Sequence, residues 1–496
     1  MFLLLFFFFS HRGRYKLILM KSYDWVIVGA GVSGCWTAYE LSKRKCSVLV
    51  IDKADDICEG TSKANSAIVH AGYDPEPGTL MARLNVRGNE IIRECHERMA
   101  IPFRQTGSMV VAFDDEGMKK ISELYARGVF NGVPGLKILS KDETLSLESG
   151  LSENALGSLL APTGGICSPF ELTAAPLEVA VRNGVEVRLS YSIEKVRKSE
   201  GGFILNDEIA AKGVINASGV DSGRVAALFG DDSIEIYPRK GEYSLLDSSV
   251  GSMITHTIFQ PPTKSGKGIL VSPTVDGNIL VGPNAEDILD PYDTTTTAKG
   301  QEEIFSGARK SVPAVSERDI ITSFSGVRAV SNSKDFIIGF SSVEGLFNIA
   351  GICSPGLTAS PAIGEYVVSL LEEKGLAGER KNDFSDGRLV VRFMALDDEG
   401  KRNALEKNPL YGRVICRCES VTEGEIVDSI RRPCGARTLD GVKRRVRAGM
   451  GRCQGGFCSP RVMEILSREL SVPFTSVTKF GKGSWLTLEK EGGKND

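Results

Sequence analysis

A chain of 496 residues exceeds what one hydrophobic core supports, so more than one domain is expected. Apolar and charged shares of 42% and 25% are those of a globular protein and exclude a disordered or fibrous one. A net charge of -3 gives no electrostatic footprint for a nucleic-acid partner.

The chain opens with MFLLLFFFF, an apolar run too short for the roughly 20 residues that cross a bilayer. Its basic residues follow the run instead of preceding it, and no small-residue cleavage site is present, so it does not read as a secretory signal. Residues 1–19 are read as an extension from a mis-assigned start, with Met20 as the natural beginning. A weak membrane-surface anchor is the competing reading. With no transmembrane segment, a cytoplasmic location is expected.

DWVIVGAGVSGCWTAYELSKRKCSVLVIDK follows, Asp24 to Lys53. An apolar run of buried-strand type, Trp25 to Val28, leads into Gly29-x-Gly31-x-x-Gly34 and a segment of helical periodicity. A second apolar run then ends at Asp52. A lone GxGxxG is weak evidence, but strand, glycine turn, helix and closing acid together form a dinucleotide-binding fingerprint. Gly29 permits the tight turn, Gly31 lets the backbone approach a pyrophosphate, and Gly34 lets helix and strand pack closely. The helix N-terminus offers N–H groups to phosphate, and Asp52 can accept from ribose hydroxyls.

This fingerprint does not choose between NAD and FAD; more distant segments bear on that choice. KGVINASG, Lys212 to Gly219, is another buried strand, ending in the small residues Ala217 and Gly219. FNIAGICSPGLTASPAIGEYVVSLL, Phe347 to Leu371, reads as a strand, a turn at Gly351 and a helix opening near Gly356, Leu357 and Thr358. Three strand ends, distant in sequence, are expected to converge on one extended dinucleotide.

With EGTSKANSAIVHAGYDPEPGTLMARLNVRGN, Glu59 to Asn89, these segments resemble the D-amino-acid-oxidase-type FAD-dependent oxidoreductases. Within them the chain resembles the soluble glycerol-3-phosphate dehydrogenases and oxidases and the related L-2-hydroxyglutarate oxidases. The resemblance implies an α/β fold, with a discontinuous Rossmann-like FAD-binding domain and an α+β substrate domain on an antiparallel sheet. It covers residues 20–374, with FAD-binding parts near 22–92, 150–232 and 329–374 and substrate-binding parts near 93–149 and 233–328. Within the substrate part, Asp276-Gly277 reads as a hairpin turn between two strands.

Such enzymes remove a hydride from a carbon bearing a hydroxyl or amine, and the leaving proton needs a base, for which histidine suits neutral pH. Of four histidines, His70 matches the one the glycerol-3-phosphate enzymes place near the flavin; a packed structural histidine is the alternative. Thr61, Ser62, Asn65 and Ser66 precede it as cofactor-bonding or turn residues. Arg328, in FSGVRAV, matches the substrate-binding arginine of the superfamily, and a guanidinium fork suits phosphate or carboxylate. Lys267 aligns with a lysine at the same anion, with Lys264 as its possible substitute. Ser354 is expected at the substrate or the flavin edge.

Between 375 and 412 the composition turns charged and polar, which reads as a linker with some helix. Cys416-x-Cys418 and Cys453-x-x-x-x-Cys458 come next, in a segment 413–475, with a tail at 476–496. Two thiol pairs around a helical intermission can converge on one metal site. The intermission shows a capping box at Thr422 and Glu425. A basic helix is expected to end at glycine, and another to begin with Ser459 as N-cap and Pro460 next. CRC with GVKRRVRAGMGRCQGGFCSPRV resembles the bacterioferritin-associated-ferredoxin-like [2Fe-2S] domain, small and helical. Zinc and free thiols are the alternatives, and Cys434 is not expected as a ligand.

The leading expectation is an FAD-dependent dehydrogenase of a small anionic 2-hydroxy substrate, foremost sn-glycerol 3-phosphate. Its electrons would leave through the cluster to a protein or quinone. Oxidation of L-2-hydroxyglutarate or an amino acid is the second reading, and an electron-transfer flavoprotein without its own substrate is the third. Oligomeric state is open at this level.

Overall fold

The computed structural model describes residues 4–8, 16–262 and 268–488. The chain forms two compact units, one of Met1–Lys53 with Cys58–Asp386, the other of Ala54–Ile57 with Gly387–Asp496.

The first unit begins with β1 (Lys16–Val28), α1 (Val32–Ser42), β2 (Val48–Ile51), α2 (Leu80–Cys95), β3 (Ser108–Ala112), β4 (Gly157–Ala161) and β5 (Ile209–Asn216). Next come β6 (Ile236–Leu246), β7 (Thr257–Phe259), β8 (Leu270–Pro273), β9 (Ile279–Gly282) and β10 (Glu286–Asp287). It closes with α3 (Ala298–Ser311), β11 (Ile320–Ser331), β12 (Leu346–Ala350) and α4 (Gly356–Glu373). The backbone of Leu4–Phe8 pairs antiparallel with Lys16–Met20, the first part of β1.

The apolar runs that read as buried strands lie side by side. Trp25–Val28 of β1 pairs in parallel with Val48–Ile51 of β2 on one side and with Gly213–Asn216 of β5 on the other. Val214–Asn216 pairs in turn with Leu346–Asn348 of β12. A parallel sheet is covered on both faces, which is why these strands are apolar throughout instead of alternating. Trp36 and Tyr39 of α1 bury with Leu172, Ala175 and Val179 of the helix Pro169–Arg182. All three C-terminal strand ends of β1, β5 and β12 therefore open on the same edge, as a doubly wound sheet requires of a ligand site.

A second sheet runs in the order β10-β6-β9-β8-β7-β3-β4, with β11 on the other side of β6. Its core joins Met109, Val111, Leu246, Ile258, Val271 and Val281 to Ile304 and Phe305 of α3. The sheet was expected to be antiparallel, and one pair departs from that: β7 runs parallel to β3. Their connection passes through another part of the fold, so no hairpin forces them to oppose. β4 belongs to this sheet although residues 150–232 were assigned to the FAD-binding part. The hairpin at Asp276-Gly277 is present, with Gly277 at φ +86 between β8 and β9.

In the second unit Cys416 and Val421 pair in a short ladder, followed by α5 (Glu423–Arg431), α6 (Leu439–Val446) and α7 (Ser459–Leu470). Ile426, Val427, Val442, Val462, Met463 and Leu466 form its core. The capping box of Thr422 and Glu425 is formed. α6 ends on Arg447 in the left-handed conformation, not on glycine, because the Arg447 side chain is anchored on Glu419 at 2.6 Å. α7 takes Cys458 as its N-cap, one residue before the expected Ser459. The stretch read as a linker is divided. Residues up to Asp386 stay with the first unit, where the Trp25 indole donates to the Leu376 carbonyl. From Gly387 it joins the second, where Phe393 stacks on the buried Tyr411. Past 475 the chain remains folded, with Val477 buried and Thr478 bridged to Trp485. Asp56, from the Ala54–Ile57 segment of this unit, is buried and accepts from Arg444 at 2.8 Å and Arg445 at 2.7 Å.

Candidate active site and cluster site

The glycine fingerprint makes a cradle. Gly29 has φ +114, and a Cβ there would run into the Ala217 carbonyl, with the Ala217 carbonyl carbon 2.9 Å away. A Cβ on Gly34 would strike the Gly29 carbonyl, and one on Gly31 would approach Ser62 Oγ to 3.1 Å. The Ala217 N–H closes the β1–β5 ladder on the Val28 carbonyl at 2.9 Å. Neither α1 nor α4 is capped by the side chain of its own N-cap residue, and the N-terminal end of each helix carries partial positive charge. Asp52, at the end of β2, accepts the Ala30 N–H at 2.7 Å. Gly219 and Gly351 stand at the ends of β5 and β12 with φ +61 and +66. Helix N-termini, side-chain-free loops and a carboxylate at one sheet edge fit an FAD, whose pyrophosphate and ribose need those groups.

A polar cluster ties two of these strand ends together. Asp221 is buried and accepts from Lys53 at 2.6 Å and from the Tyr292 hydroxyl at 2.5 Å. Burial alone would raise its pKa; the bonds from Lys53 and Tyr292 outweigh that and hold it below the usual carboxylate range.

The loop before His70 faces the second sheet. Ser62 Oγ accepts the Val32 N–H at 2.9 Å, and Thr61 Oγ1 donates to the Val327 carbonyl next to Arg328. Asn65 folds back on the Thr61 and Ser62 carbonyls at 3.0 and 2.9 Å. Ser66 Oγ meets the Tyr243 hydroxyl at 3.4 Å. Asn65 thus carries the turn itself, while Thr61, Ser62 and Ser66 tie it to the strands and helix around it.

His70 is held by its backbone and offers its ring. Its N–H donates to Thr358 Oγ1 at 2.9 Å, and its carbonyl accepts from Asn85 and Asn89 at 2.9 and 3.2 Å. Nε2 lies 3.5 Å from Ser354 Oγ, 284 residues along the chain, and the ring packs against Phe259 at 5.8 Å. Thr358, expected at the cofactor, is fully buried, and its hydroxyl is spent on His70 and on the Ile68 carbonyl. It positions the histidine; Gly356 and Leu357 remain at the helix end. Asn85 and Asn89 escaped the sequence reading. Their spacing of four on α2 puts them on one helical face, and that repeat was the available signal.

Arg328 sits on β11 with Nη2 3.2 Å from the Asn284 carbonyl and no carboxylate partner among the described residues. Its guanidinium lies over Gly241, whose absent side chain makes room for it: a Cβ there would stand 3.0 Å from Arg328 Cζ. Lys264 and Lys267 lie outside the described residues.

In the second unit the four expected thiols form two pairs. Cys418 Sγ is 3.7 Å from Cys453 Sγ, and Cys416 is hydrogen-bonded to Cys458. Cys416 is drawn down to about 6, first by the Cys458 thiol and, against burial, by the N–H groups of Gly449 and Glu419. Cys453 is lowered chiefly by the Phe457 N–H, with those of Gly455 and Gly456 assisting. Among the described residues no three ligating groups converge on a single ion position. Two thiol pairs, with N–H groups aimed at sulfur, supply four thiolates that would hold a [2Fe-2S] cluster. Cys434 lies outside this set.

Comparison with known proteins bears on both cofactors. Residues 24–370 match the family model of the FAD dependent oxidoreductases, and 414–468 match the BFD-like [2Fe-2S] binding domain. The chain belongs to the FAD dependent oxidoreductase family and carries a [2Fe-2S] domain, so FAD and a [2Fe-2S] cluster are its cofactors. It is 46% identical to a glycerol 3-phosphate dehydrogenase of Caloramator mitchellensis, over 94% of this chain and 98% of that one. It is 33% identical to a glycerol 3-phosphate oxidase of Mycoplasma genitalium, over 72% and 96%. The FAD-bound L-alpha-glycerophosphate oxidase of Mycoplasma pneumoniae superposes with a TM-score of 0.70 at 30% identity, covering 74% of this chain and 98% of that one. The chain is an FAD-dependent dehydrogenase acting on CH–OH groups. No helix among the described residues is long and apolar enough to cross a membrane.

Proposed function

We propose that this chain oxidises sn-glycerol 3-phosphate at C2, giving dihydroxyacetone phosphate. The observation that carries this reading is the meeting of His70 and Ser354 at the cofactor edge of the sheet, with an uncompensated Arg328 on the strand the cofactor loop touches. When bound, the flavin supplies a two-electron hydride acceptor and the cluster a one-electron carrier. His70 Nε2 takes the C2 hydroxyl proton while the C2–H bond gives up its electron pair with the hydrogen, so the oxygen loses one proton, the carbon one hydride, and a C=O bond forms. Ser354 Oγ, beside Nε2, orients that hydroxyl. Arg328 binds the phosphate, with Lys267, which lies outside the described residues, as a further cation. Asn85, Asn89 and Thr358 fix the backbone of His70, so its ring needs no reorganisation to act. A one-electron acceptor, protein or quinone, receives the electrons, and a cytoplasmic location fits that role.

The visible spectrum of the purified protein, recorded anaerobically, tests this. Glycerol 3-phosphate is expected to bleach the flavin band within seconds, and His70→Ala to slow bleaching by about 100- to 10,000-fold. Bleaching by L-2-hydroxyglutarate but not by glycerol 3-phosphate would overturn the substrate, and full-rate bleaching in His70→Ala would overturn the base.

A further inference from the structure

The strand β6 carries two adjacent cations, Arg239 and Lys240, and the period of a strand sends them to opposite faces. Lys240 is 3% exposed and committed, with Asp293 at 2.8 Å and Glu286 at 3.7 Å. Glu242, on the same face, accepts from the Thr297 N–H and hydroxyl ahead of α3. That face is structural.

The other face looks at the cofactor loop. Tyr243 stands opposite Phe324 of β11, Gly241 opposite Gly326, and Arg239 opposite Arg328. Tyr243 stacks on Phe324 and meets Ser66, and a Cβ on Gly326 would run into the Ala64 carbonyl. On its far side Arg239 stands opposite Asp287 of β10. Arg328, Arg239 and Asp287 therefore form one row across three strands, all on the face that meets the loop leading to His70. Cys353, the neighbour of Ser354, lies within electrostatic reach of Arg239.

Charge in this row does not balance. Two guanidinium groups directly opposite each other on a sheet repel, and the row holds one carboxylate for both. Asp287 engages Arg239 through Nε at 2.5 Å and Nη2 at 3.2 Å, which leaves the Nη1 N–H groups without a partner among the described residues. Arg328 spends only Nη2, on a carbonyl. What remains is a pair of guanidinium groups with spare donors on one face of two paired strands, where an anion with several oxygens can answer both forks.

We infer that Arg239 is a second arginine contact of the substrate's phosphate, paired with Arg328 and held in place by Asp287. This rests on the glycerol 3-phosphate reading and gives it a specificity device. A phosphate offers oxygens to both guanidinium forks, whereas the two oxygens of a single carboxylate are taken up by one. Lys240, next in the chain, takes no part.

The test uses the FAD- and cluster-loaded full chain, wild type against Arg239→Gln, Arg239→Lys and Asp287→Asn. Two readouts are taken: steady-state kinetics with glycerol 3-phosphate, and perturbation of the flavin spectrum by inorganic phosphate, which needs no turnover. Loss of one charge-assisted contact is expected to raise KM and the phosphate dissociation constant about 10- to 100-fold in Arg239→Gln, with kcat changed less than threefold. Arg239→Lys should restore binding in part. Asp287→Asn, leaving Arg239 charged but unanchored, should weaken phosphate less than Arg239→Gln does. Unchanged KM and unchanged phosphate binding in a flavin-loaded Arg239→Gln would overturn the inference while leaving the reaction intact. Wild-type protein that neither turns over glycerol 3-phosphate nor responds to phosphate would overturn both.

Discussion

Replacing Gly29 by alanine isolates what the glycine turn does. At φ +114 an alanine is strained, and its Cβ would sit against the Ala217 carbonyl, 2.9 Å from the carbonyl carbon where ordinary carbon contacts run ~3.5–4.0 Å. Relief requires the ends of β1 and β5 to part where the Ala217 N–H meets the Val28 carbonyl. Backbone strain of about 1–3 kcal/mol and a weakened hydrogen bond of about 1 kcal/mol give a cost of roughly 2–4 kcal/mol. Placed on the cofactor edge, that cost weakens FAD binding by roughly 30- to 1,000-fold. Gly184→Ala is the matched control: Gly184 also has positive φ, +97, but nothing lies within 4 Å of its would-be Cβ. It should lose only about 1 kcal/mol, the ordinary price of a left-handed alanine. Flavin retained after gel filtration, read as the ratio of visible to protein absorbance, measures the difference, with thermal melting as the stability readout. Equal FAD retention by Gly29→Ala and Gly184→Ala would refute the crowding argument.

Two further outcomes follow from the second unit. Burial works against the Asp56 carboxylate, and the Arg445 and Arg444 charges override it, holding its pKa below the usual range. Its stabilisation is therefore complete above ~4 and is lost as pH falls through the still lower folded value. Asp56→Asn, which leaves two buried guanidinium groups without their carboxylate, should cost about 3–5 kcal/mol at pH 7 and progressively less below pH 4. Chemical denaturation of the two proteins across that range checks this, and equal midpoints at pH 7 would be the contrary result. Cys418→Ser should change the visible absorption and electron paramagnetic resonance of the cluster, whereas Cys434→Ser should not; identical spectra for both variants would remove Cys418 from the ligand set.

Much of this protein was legible in its sequence because local chemistry forces it. The glycine spacing, the acid closing β2 and the apolar runs before each turn need no partner to be read, and the sheet places them as expected. The thiol pairs were legible for the same reason, since ligand spacing and capping residues act within a few positions of each other. What failed to show locally was ownership: β4 reads as an apolar strand, but which sheet it joins depends on β3 and Lys137–Ser140 beside it. Arg447 ends α6 where glycine was expected, because a distant carboxylate at Glu419 pays for its left-handed backbone. Asn85 and Asn89 look like ordinary polar helix residues until the His70 carbonyl is seen to need them.

The sequence by itself determined the cofactor-binding turns and the residue types available for chemistry, because these follow from short-range sterics and hydrogen bonding. Only the tertiary structure decided which of those residues meet. Ser354 reaches His70 across 284 positions through the pairing of parallel strands. Arg239 is distinguished from Lys240 only by which face of β6 turns to the cofactor loop, and register, a long-range property, sets that.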